Sequence, residues 1–227
     1  MPADKDKLNK ALGELAEGKT EVDFKGLDVS SSQLDRVCRE LAEKGNRVEG
    51  LSFGRCGLGD DGARKIAASL PSLVNLQRLD LTDNQIGAEG AKSIAASLPS
   101  LVNLQGLDLT HNQIGADGAK AIAASLPSVP QHTVTRLLSN KIGVDLARAI
   151  ESWVPSLANL IDLHLGLNQL SDVGVLSLAE AVRHSVSLKT LDVADPNISK
   201  SAWDQLNKSL AGPRTPTLPG KPAVSSG

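Results

Sequence analysis

Acidic, basic and imidazole side chains recur along this chain at a nearly constant spacing. Most of them are 28 residues apart, with one shorter step at the start, and they are Asp28, Ser52, Asp80, Asp108, Arg136, His164 and Asp192. If the spacing reflects stacked strands, neighbouring members of this row lie about 4.8 Å apart. Such a row could keep an exposed sheet soluble, bind a charged partner, or collect ligands for a metal.

Flanking positions extend this row into a candidate surface. Arg55 and Asp195 also fall on the predicted surface. We predict a mixed-charge protein-binding patch whose members are Arg78, Asp80, Asp83, Asp108, His111, Arg136, Leu138, Asp162, His164 and Asp192. Such a patch would act through steering and register more than through raw affinity. The competing interpretation is that Asp recurs at these positions as part of the repeat sequence and only keeps an exposed sheet soluble.

A metal or catalytic site using His111, Asp108 and His164 is the third hypothesis, and we disfavour it. These ligands would come from an open sheet without an enclosing pocket. Cys38 and Cys56 belong to no Cys-x-x-Cys or Cys/His cluster, and we expect both to pack as structural thiols. Without a phosphate loop or catalytic triad signature, we expect neither enzymatic activity nor a cofactor nor a metal.

A repeated motif supplies the elements that position these side chains. Its clearest copies run from Leu76 to Ile86 and from Leu104 to Ile114, each as Leu-x-x-Leu-x-Leu-x-x-Asn-x-Ile. Further copies begin at Val48, Leu160 and Leu188, and we place the first, shorter unit at Phe24, Leu27, Val29, Ser32 and Leu34. With the irregular unit discussed below, the chain has seven units, typical of a solenoid.

Each unit alternates a strand pattern with a helix pattern. Leu-x-Leu has the period of a strand, and in the following segment Ile94, Ala95 and Leu98 share one helical face until Pro99 stops the helix. Alternation of this kind predicts a parallel sheet with all helices on one side. Because a helix is wider than the strand spacing, the stack should curve, with the sheet on its concave side. The recurrent Asn84, Asn112, Asn140 and Asn168, with Cys56 in the same column, should hydrogen-bond backbone groups between coils.

We divide the chain into four parts. Residues 1–20 hold an N-terminal capping helix, predicted over 4–18, and residues 21–198 hold the repeats. Residues 199–211 hold a C-terminal capping helix, in which Trp203, Leu206 and Leu210 face inward. Residues 212–227, rich in Pro, Gly and Ser, are predicted to be disordered.

One unit breaks the pattern. In strict register, His132 and Thr135 occupy inward slots that are Leu elsewhere, while Val134 and Leu138 point outward. Either the strand slips or bulges to bring Val134 inward, or the core is locally polar. Drift in a tolerant array and a reshaped recognition surface both remain open as the cause.

The 28-residue length, the strand motif and the Gly-x-x-Gly-Ala-x-x-Ile-Ala helix entry resemble the ribonuclease-inhibitor-like leucine-rich repeats over about residues 20–210. The resemblance implies an α/β right-handed horseshoe that binds another protein on its concave face or rims. We therefore expect a non-enzymatic interaction module. A GTPase-activating or GTPase-regulating protein, and the sensing or targeting arm of a larger protein or bacterial effector, remain alternatives.

Composition narrows the partners and the compartment. The formal net charge of −2 disfavours bulk attraction to nucleic acid or to an anionic membrane. The charged N-terminus has no apolar run typical of a signal peptide, and no apolar segment has the length of a membrane span. We therefore expect a cytoplasmic, monomeric protein that binds a protein partner, one with basic features if the patch is functional.

Overall fold

All the described strands form one parallel sheet. The computed structural model describes residues 2–28, 30–143, 159–182, 185, 187–210, 216 and 218. Within them the sheet has seven strands, paired in chain order. They are β1 (Glu21–Asp23), β2 (Gly50–Ser52), β3 (Arg78–Asp80), β4 (Gly106–Asp108), β5 (Val134–Arg136), β6 (Asp162–His164) and β7 (Thr190–Asp192).

Helices alternate with these strands. They are α1 (Pro2–Ala16), α2 (Ser31–Lys44), α3 (Gly59–Ser69), α4 (Ala88–Ser97), α5 (Gly115–Ser125), α6 (Asp172–Val182) and α7 (Lys200–Ser209). Helices α3, α4 and α5 each continue into a short 3₁₀ turn that holds a proline. The predicted stop at Pro99 is confirmed, because α4 ends at Ser97 and proline has no amide hydrogen to continue it.

The 28-residue step sets the register of the sheet from β2 to β7. Leu79 pairs with Leu107, and Asp80 pairs with Asp108, so equivalent residues stand side by side. The middle residue of every strand is buried, and in β2, β3, β4, β6 and β7 it is the leucine that the strand pattern predicted to face inward. One continuous apolar core therefore lies on one side of the sheet, and the first and third residues of each strand face the other side. The predicted helix face of Ile94, Ala95 and Leu98 is buried in this core.

The first unit departs from our prediction. Asp23, not Asp28, pairs with Ser52, so the step from the first strand to the second is one residue longer than the repeat. The ring of Phe24 stacks on that of Phe53 with centroids 4.9 Å apart, which aligns Phe24 with Phe53. Asp28 is an exposed loop residue outside the row, and the predicted inward Val29 lies outside the described residues.

The predicted asparagine ladder is confirmed. Asn84 Oδ1 accepts from the backbone N–H of Cys56 at 2.9 Å, and Asn84 Nδ2 donates to the Phe53 carbonyl at 2.8 Å. Asn112, Asn140 and Asn168 repeat this pattern one unit further along each time. Each buried amide thus satisfies backbone groups of two successive coils, which would otherwise be buried without partners.

Different side chains close the ladder at its two ends. Cys56 Sγ donates to the Phe24 carbonyl at 3.1 Å, in the place of an Asn amide. At the other end Pro196 fills the Asn slot, and Asp195 Oδ2 instead accepts from the Leu170 N–H at 3.1 Å. Our placement of Asp195 on the surface is therefore wrong, because its side chain is 1% exposed and belongs to the ladder.

A helix lies at each end of the stack. Helix α1 packs against α2 and β1 and buries Leu8, Leu12 and Leu15. Helix α7, capped by the Ser199 hydroxyl, packs against α6 and buries Trp203 and Leu206. Of the tail predicted at 212–227, the structure describes Pro216, which is buried, and Leu218, which packs against the core. Among the described residues, no helix combines the length and apolarity needed to cross a bilayer.

Candidate functional site

The sheet surface opposite the core carries most of the predicted site residues. We call the first and third residues of the seven strands the open face. The third residues form the predicted row of Ser52, Asp80, Asp108, Arg136, His164 and Asp192, with Asp23 at its end. All of these side chains are partly or fully exposed.

The aspartates of this row have a local structural role. Asp80 Oδ1 accepts from the Thr82 N–H at 2.9 Å, and Asp108 Oδ1 accepts from the Thr110 N–H at 3.0 Å. Asp23 and Asp192 make the same bond to the amide two residues on. These side-chain-to-backbone turns satisfy backbone donors where each strand ends. They support the interpretation that Asp recurs here as part of the repeat sequence. They also fix the carboxylates, and each leaves its Oδ2 for other contacts.

The Oδ2 atoms contact their neighbours in the row. Asp80 Oδ2 accepts from the Ser52 hydroxyl at 3.0 Å, and Asp108 Oδ2 lies 3.9 Å from Arg136 Nη1. The predicted Asp108–Arg136 contact is thus confirmed. Asp192 Oδ2 lies 3.8 Å from His164 Nδ1, and the interaction with this imidazole lowers the pKa of the Asp192 carboxyl.

The first residues of the strands form a less regular row. Arg78 reaches over Gly50 to make an ion pair with Glu21, a partner that sequence analysis missed. A Cβ at Gly50 would collide with the Glu21 carboxylate, whereas no heavy atom lies within 4 Å of a Cβ at Gly106. A cavity of about 600 Å³ opens here, lined by residues of β1 to β5.

A further row lies just beyond the strands, and we call it the loop row. Arg55, Asp83, His111, Ser139 and Leu167 all have φ between 53° and 59°, the left-handed region. Arg55 Nε lies 3.4 Å from Asp83 Oδ2. Asp and His tolerate this backbone conformation better than most residues, but Leu167 is bulky and 49% exposed. The loop row is thus polar near Asp83 and His111 and apolar at Leu167.

The structure brings the predicted residues together in two groups. Arg78, Asp80, Asp108 and Arg136 lie on the consecutive strands β3 to β5, with Asp83 and His111 in the loop row beside them. Asp162, His164 and Asp192 lie on β6 and β7. Because Asp162 is three strands from Arg78, about 14 Å separates their backbones, so they do not form one contact site. Leu138, partly exposed, lies between the groups.

The titratable groups do not assemble into a metal or thiol site within the described ranges. No three His, Cys, Asp or Glu side chains there are placed to hold a metal ion. Burial raises the pKa of the Cys56 thiol to about 11 and also raises that of Cys38. Raised values disfavour the reactive thiolate and support packing roles for both cysteines.

The irregular unit is a locally polar core. His132 and Thr135 are buried, and His132 Nε2 lies 2.8 Å from Thr135 Oγ1. Thr135 pairs with Leu107 and Leu163 without a shift in register, so the alternative of a slipped or bulged strand is wrong. The hydrogen bond offsets part of the cost of burying both polar side chains, and Val134 stays on the open face.

Sequence comparison identifies the repeat. Residues 49–67, 72–95, 100–123 and 156–179 match the profile described as Leucine Rich repeat. The chain is a leucine-rich repeat protein. A search of curated proteins gave no match.

Three solved structures are similar to this leucine-rich repeat protein at low sequence identity. A protein from Bacteroides fragilis has 16% identity and a TM-score of 0.53, over 96% of this chain and 69% of that one. A leucine-rich repeat protein of Leptospira interrogans has 20% identity and a TM-score of 0.51, over 88% of this chain. This chain spans 55% of the Leptospira protein's length. Leiomodin-1 actin-binding site 2 has 20% identity and a TM-score of 0.49, over 56% of this chain and 76% of that one.

Proposed function

We propose that this leucine-rich repeat protein is a non-enzymatic interaction module that binds a protein partner on its open face. The observation that carries the proposal is the row from Ser52 to Asp192, whose side chains are partly or fully exposed and whose aspartates are held in place by backbone amides. A surface held in its binding geometry before association loses less conformational freedom when a partner docks.

The sheet beneath the row supplies that rigidity. Buried asparagines tie successive coils together, and the strands keep one register from β2 to β7. Six strand spacings make the open face about 29 Å long, the span of roughly nine extended residues. A segment or face of a protein fits these dimensions better than a small molecule, which prefers an enclosed pocket.

The subfamily, the cellular compartment and the oligomeric state are inferred mainly from the sequence. The ribonuclease-inhibitor-like subfamily is supported by the 28-residue register, and a cytoplasmic, monomeric state is an expectation from composition. No contact on the open face favours GTPase regulation, so that alternative and the targeting-arm alternative stay predictions. Nucleic acid and membrane remain disfavoured because the chain is weakly acidic.

Affinity capture with matched variants tests the proposal. The open-face variant combines Asp80→Asn, Asp108→Asn and Arg136→Gln, because the amides can still accept the backbone hydrogen bonds that Asp80 and Asp108 accept. The control combines Asp61→Asn, Glu89→Gln and Arg64→Gln on α3 and α4, where these side chains are exposed. Both variants change charge equally, and thermal unfolding should confirm that both fold.

We expect a protein captured by the wild type to be retained by the control and lost by the open-face variant. A partner that binds the open-face variant as well as the wild type would place recognition elsewhere. Loss from the helix-side control alone would assign binding to the helical surface and overturn the proposal.

A further inference from the structure

A notch on the open face has a shape that one side chain could fill. It lies over Gly106, where the neighbouring positions of the same row are Arg78 on β3 and Val134 on β5. Arg78 turns away from it to pair with Glu21, and the space above Gly106 stays empty within 4 Å of a Cβ position. The adjacent repeat has Arg78 where this one has Gly106, so the notch interrupts an otherwise near-identical pair of units.

The charges around the notch are unbalanced toward carboxylate. Among the described residues of the open face and loop row, each arginine already lies near an acid: Arg55 near Asp83, Arg78 near Glu21 and Arg136 near Asp108. Asp80 has no cation among these contacts, and its Oδ2 accepts only from the Ser52 hydroxyl. The Asp108–Arg136 separation of 3.9 Å exceeds hydrogen-bond length, so Asp108 Oδ2 keeps capacity for another donor. Asp80 and Asp108 can therefore each accept a hydrogen bond from a further cationic donor.

The arrangement distinguishes among cationic side chains. Gly106 and Val134 offer a surface without charge, against which an aliphatic stem can pack. Asp80 and Asp108 stand on adjacent paired strands, about 4.8 Å apart, with their Oδ1 atoms held by backbone amides. A planar guanidinium donates in two directions from one rigid group and can reach two fixed carboxylates, whereas an ammonium acts as a point charge.

We propose that the notch over Gly106 receives an arginine side chain from an extended segment of the protein partner, with its guanidinium between Asp80 and Asp108. This inference rests on the proposed function, because it specifies the chemistry of a partner bound to the same face. The segment crosses the strands, so that its neighbouring residues contact β2 and β5.

Selection from a random displayed dodecapeptide library against the wild-type chain tests the inference. We expect the enriched peptides to share an arginine, and Arg→Ala in a synthetic copy to weaken binding about tenfold or more. Arg→Lys should weaken it by a smaller factor. In the protein, Asp80→Asn and Gly106→Leu should each lower the affinity, the first by removing charge and the second by filling the notch.

Matched controls separate these effects from loss of folding. Asp117→Asn makes the same charge change on α5, and Gly13→Leu adds the same side chain on α1, where no heavy atom lies within 4 Å of the new Cβ. Both should bind the peptides like the wild type. Some peptides could lose binding to the open-face variant and yet lack arginine or tolerate Gly106→Leu. Such peptides would overturn the arginine notch and leave the proposed function standing. Peptides insensitive to every open-face change would overturn both, and failure to enrich any peptide would overturn an extended segment as the ligand.

Discussion

His132 is the residue whose burial most clearly conflicts with its chemistry. Its side chain is 3% exposed, and Nδ1 has no hydrogen-bond partner among the described residues, although Nε2 contacts Thr135. A neutral imidazole has one donor and one acceptor nitrogen, so one of the two stays unsatisfied in either tautomer. Burial lowers the pKa of His132 to about 4. The folded state therefore holds this ring neutral at pH values where an unfolded chain would protonate it.

This difference predicts a loss of stability in mild acid. An exposed histidine titrates near pH 6.5 and the folded His132 near 4, so between these values the unfolded chain binds more protons. The free energy of unfolding should fall as the pH drops from about 6.5 toward 4. In the double variant His132→Leu, Thr135→Leu that part of the slope should vanish, as urea titrations across this pH range can measure.

The same double variant should also be more stable at pH 7. Leucines fill the equivalent inward positions in the preceding and following units, so this core already accommodates them. Removing an unsatisfied buried group recovers about 1–3 kcal/mol. His111→Gln, which changes an exposed imidazole, is the control and should keep the acid slope. A double variant less stable than the wild type would mean that the polar pair fits this core better than leucine. Stabilisation with unchanged partner binding would favour sequence drift as the cause of this irregular unit.

At the scale of elements, the sequence predicts the regular units well and the first and last units poorly. The step of 28 predicts the register of β2 to β7 and the asparagine ladder, because each inward slot sees the same neighbours. The step of 28 residues misplaces β1, because Lys19 occupies the position of the leading Leu of the motif. The offset of one further residue between β1 and β2 is seen in the structure, where Phe24 stacks on Phe53. The step of 28 also misses the ladder role of Asp195, because the preceding loop is one residue short of the Asn slot.

The candidate site also combines contacts that the sequence predicts with contacts that it does not. The order of the third-residue row follows from the register, so the Asp108–Arg136 contact was predictable. The Arg78–Glu21 pair was not, since it depends on a long side chain crossing Gly50 rather than on adjacent positions. The hydrogen bond between His132 and Thr135 was not predictable either, because two alternatives for the strand gave opposite directions to these side chains.

Helix packing allows a prediction at this scale. A Cβ at Gly118 would lie 2.9 Å from the Ala91 Cβ on the neighbouring helix α4, and 2.5 Å from the Cγ2 of Ile114 at the start of α5 itself. Gly118→Ala gains helix propensity but must displace its neighbours, so we expect a net loss of about 1–2 kcal/mol. Gly13→Ala in α1 meets no atom within 4 Å and should stabilise the protein by up to about 1 kcal/mol. Thermal unfolding of both variants compares the two effects, and equal signs would show that the helix contact is not tight in solution.

At the scale of the whole molecule, the architecture limits how far a local change can spread. Each described strand pairs only with the strands before and after it, and contacts between helices link α1 to α5 in succession and α6 to α7. Stability in such an array is close to a sum of unit and nearest-neighbour terms. Helices α1 and α7 then matter because each covers apolar surface that the end units would leave in water, which is the capping role predicted for both.

Leu12→Ala in α1 tests the capping role and the nearest-neighbour behaviour together. Leu12 is buried where α1 packs on α2 and β1, so its truncation should cost about 2–4 kcal/mol in that region. In hydrogen exchange, amides of β1 and β2 should lose most of the protection, and amides of β6 and β7 should lose little, because the lost contacts reach the far end only through every intervening interface. Lys10→Ala, on an exposed position of the same helix, should leave exchange nearly unchanged throughout. An equal loss of protection from β1 to β7 would instead mean that the stack unfolds as one cooperative unit, in which case a partner bound at the notch on β3 and β4 would stabilise both ends alike.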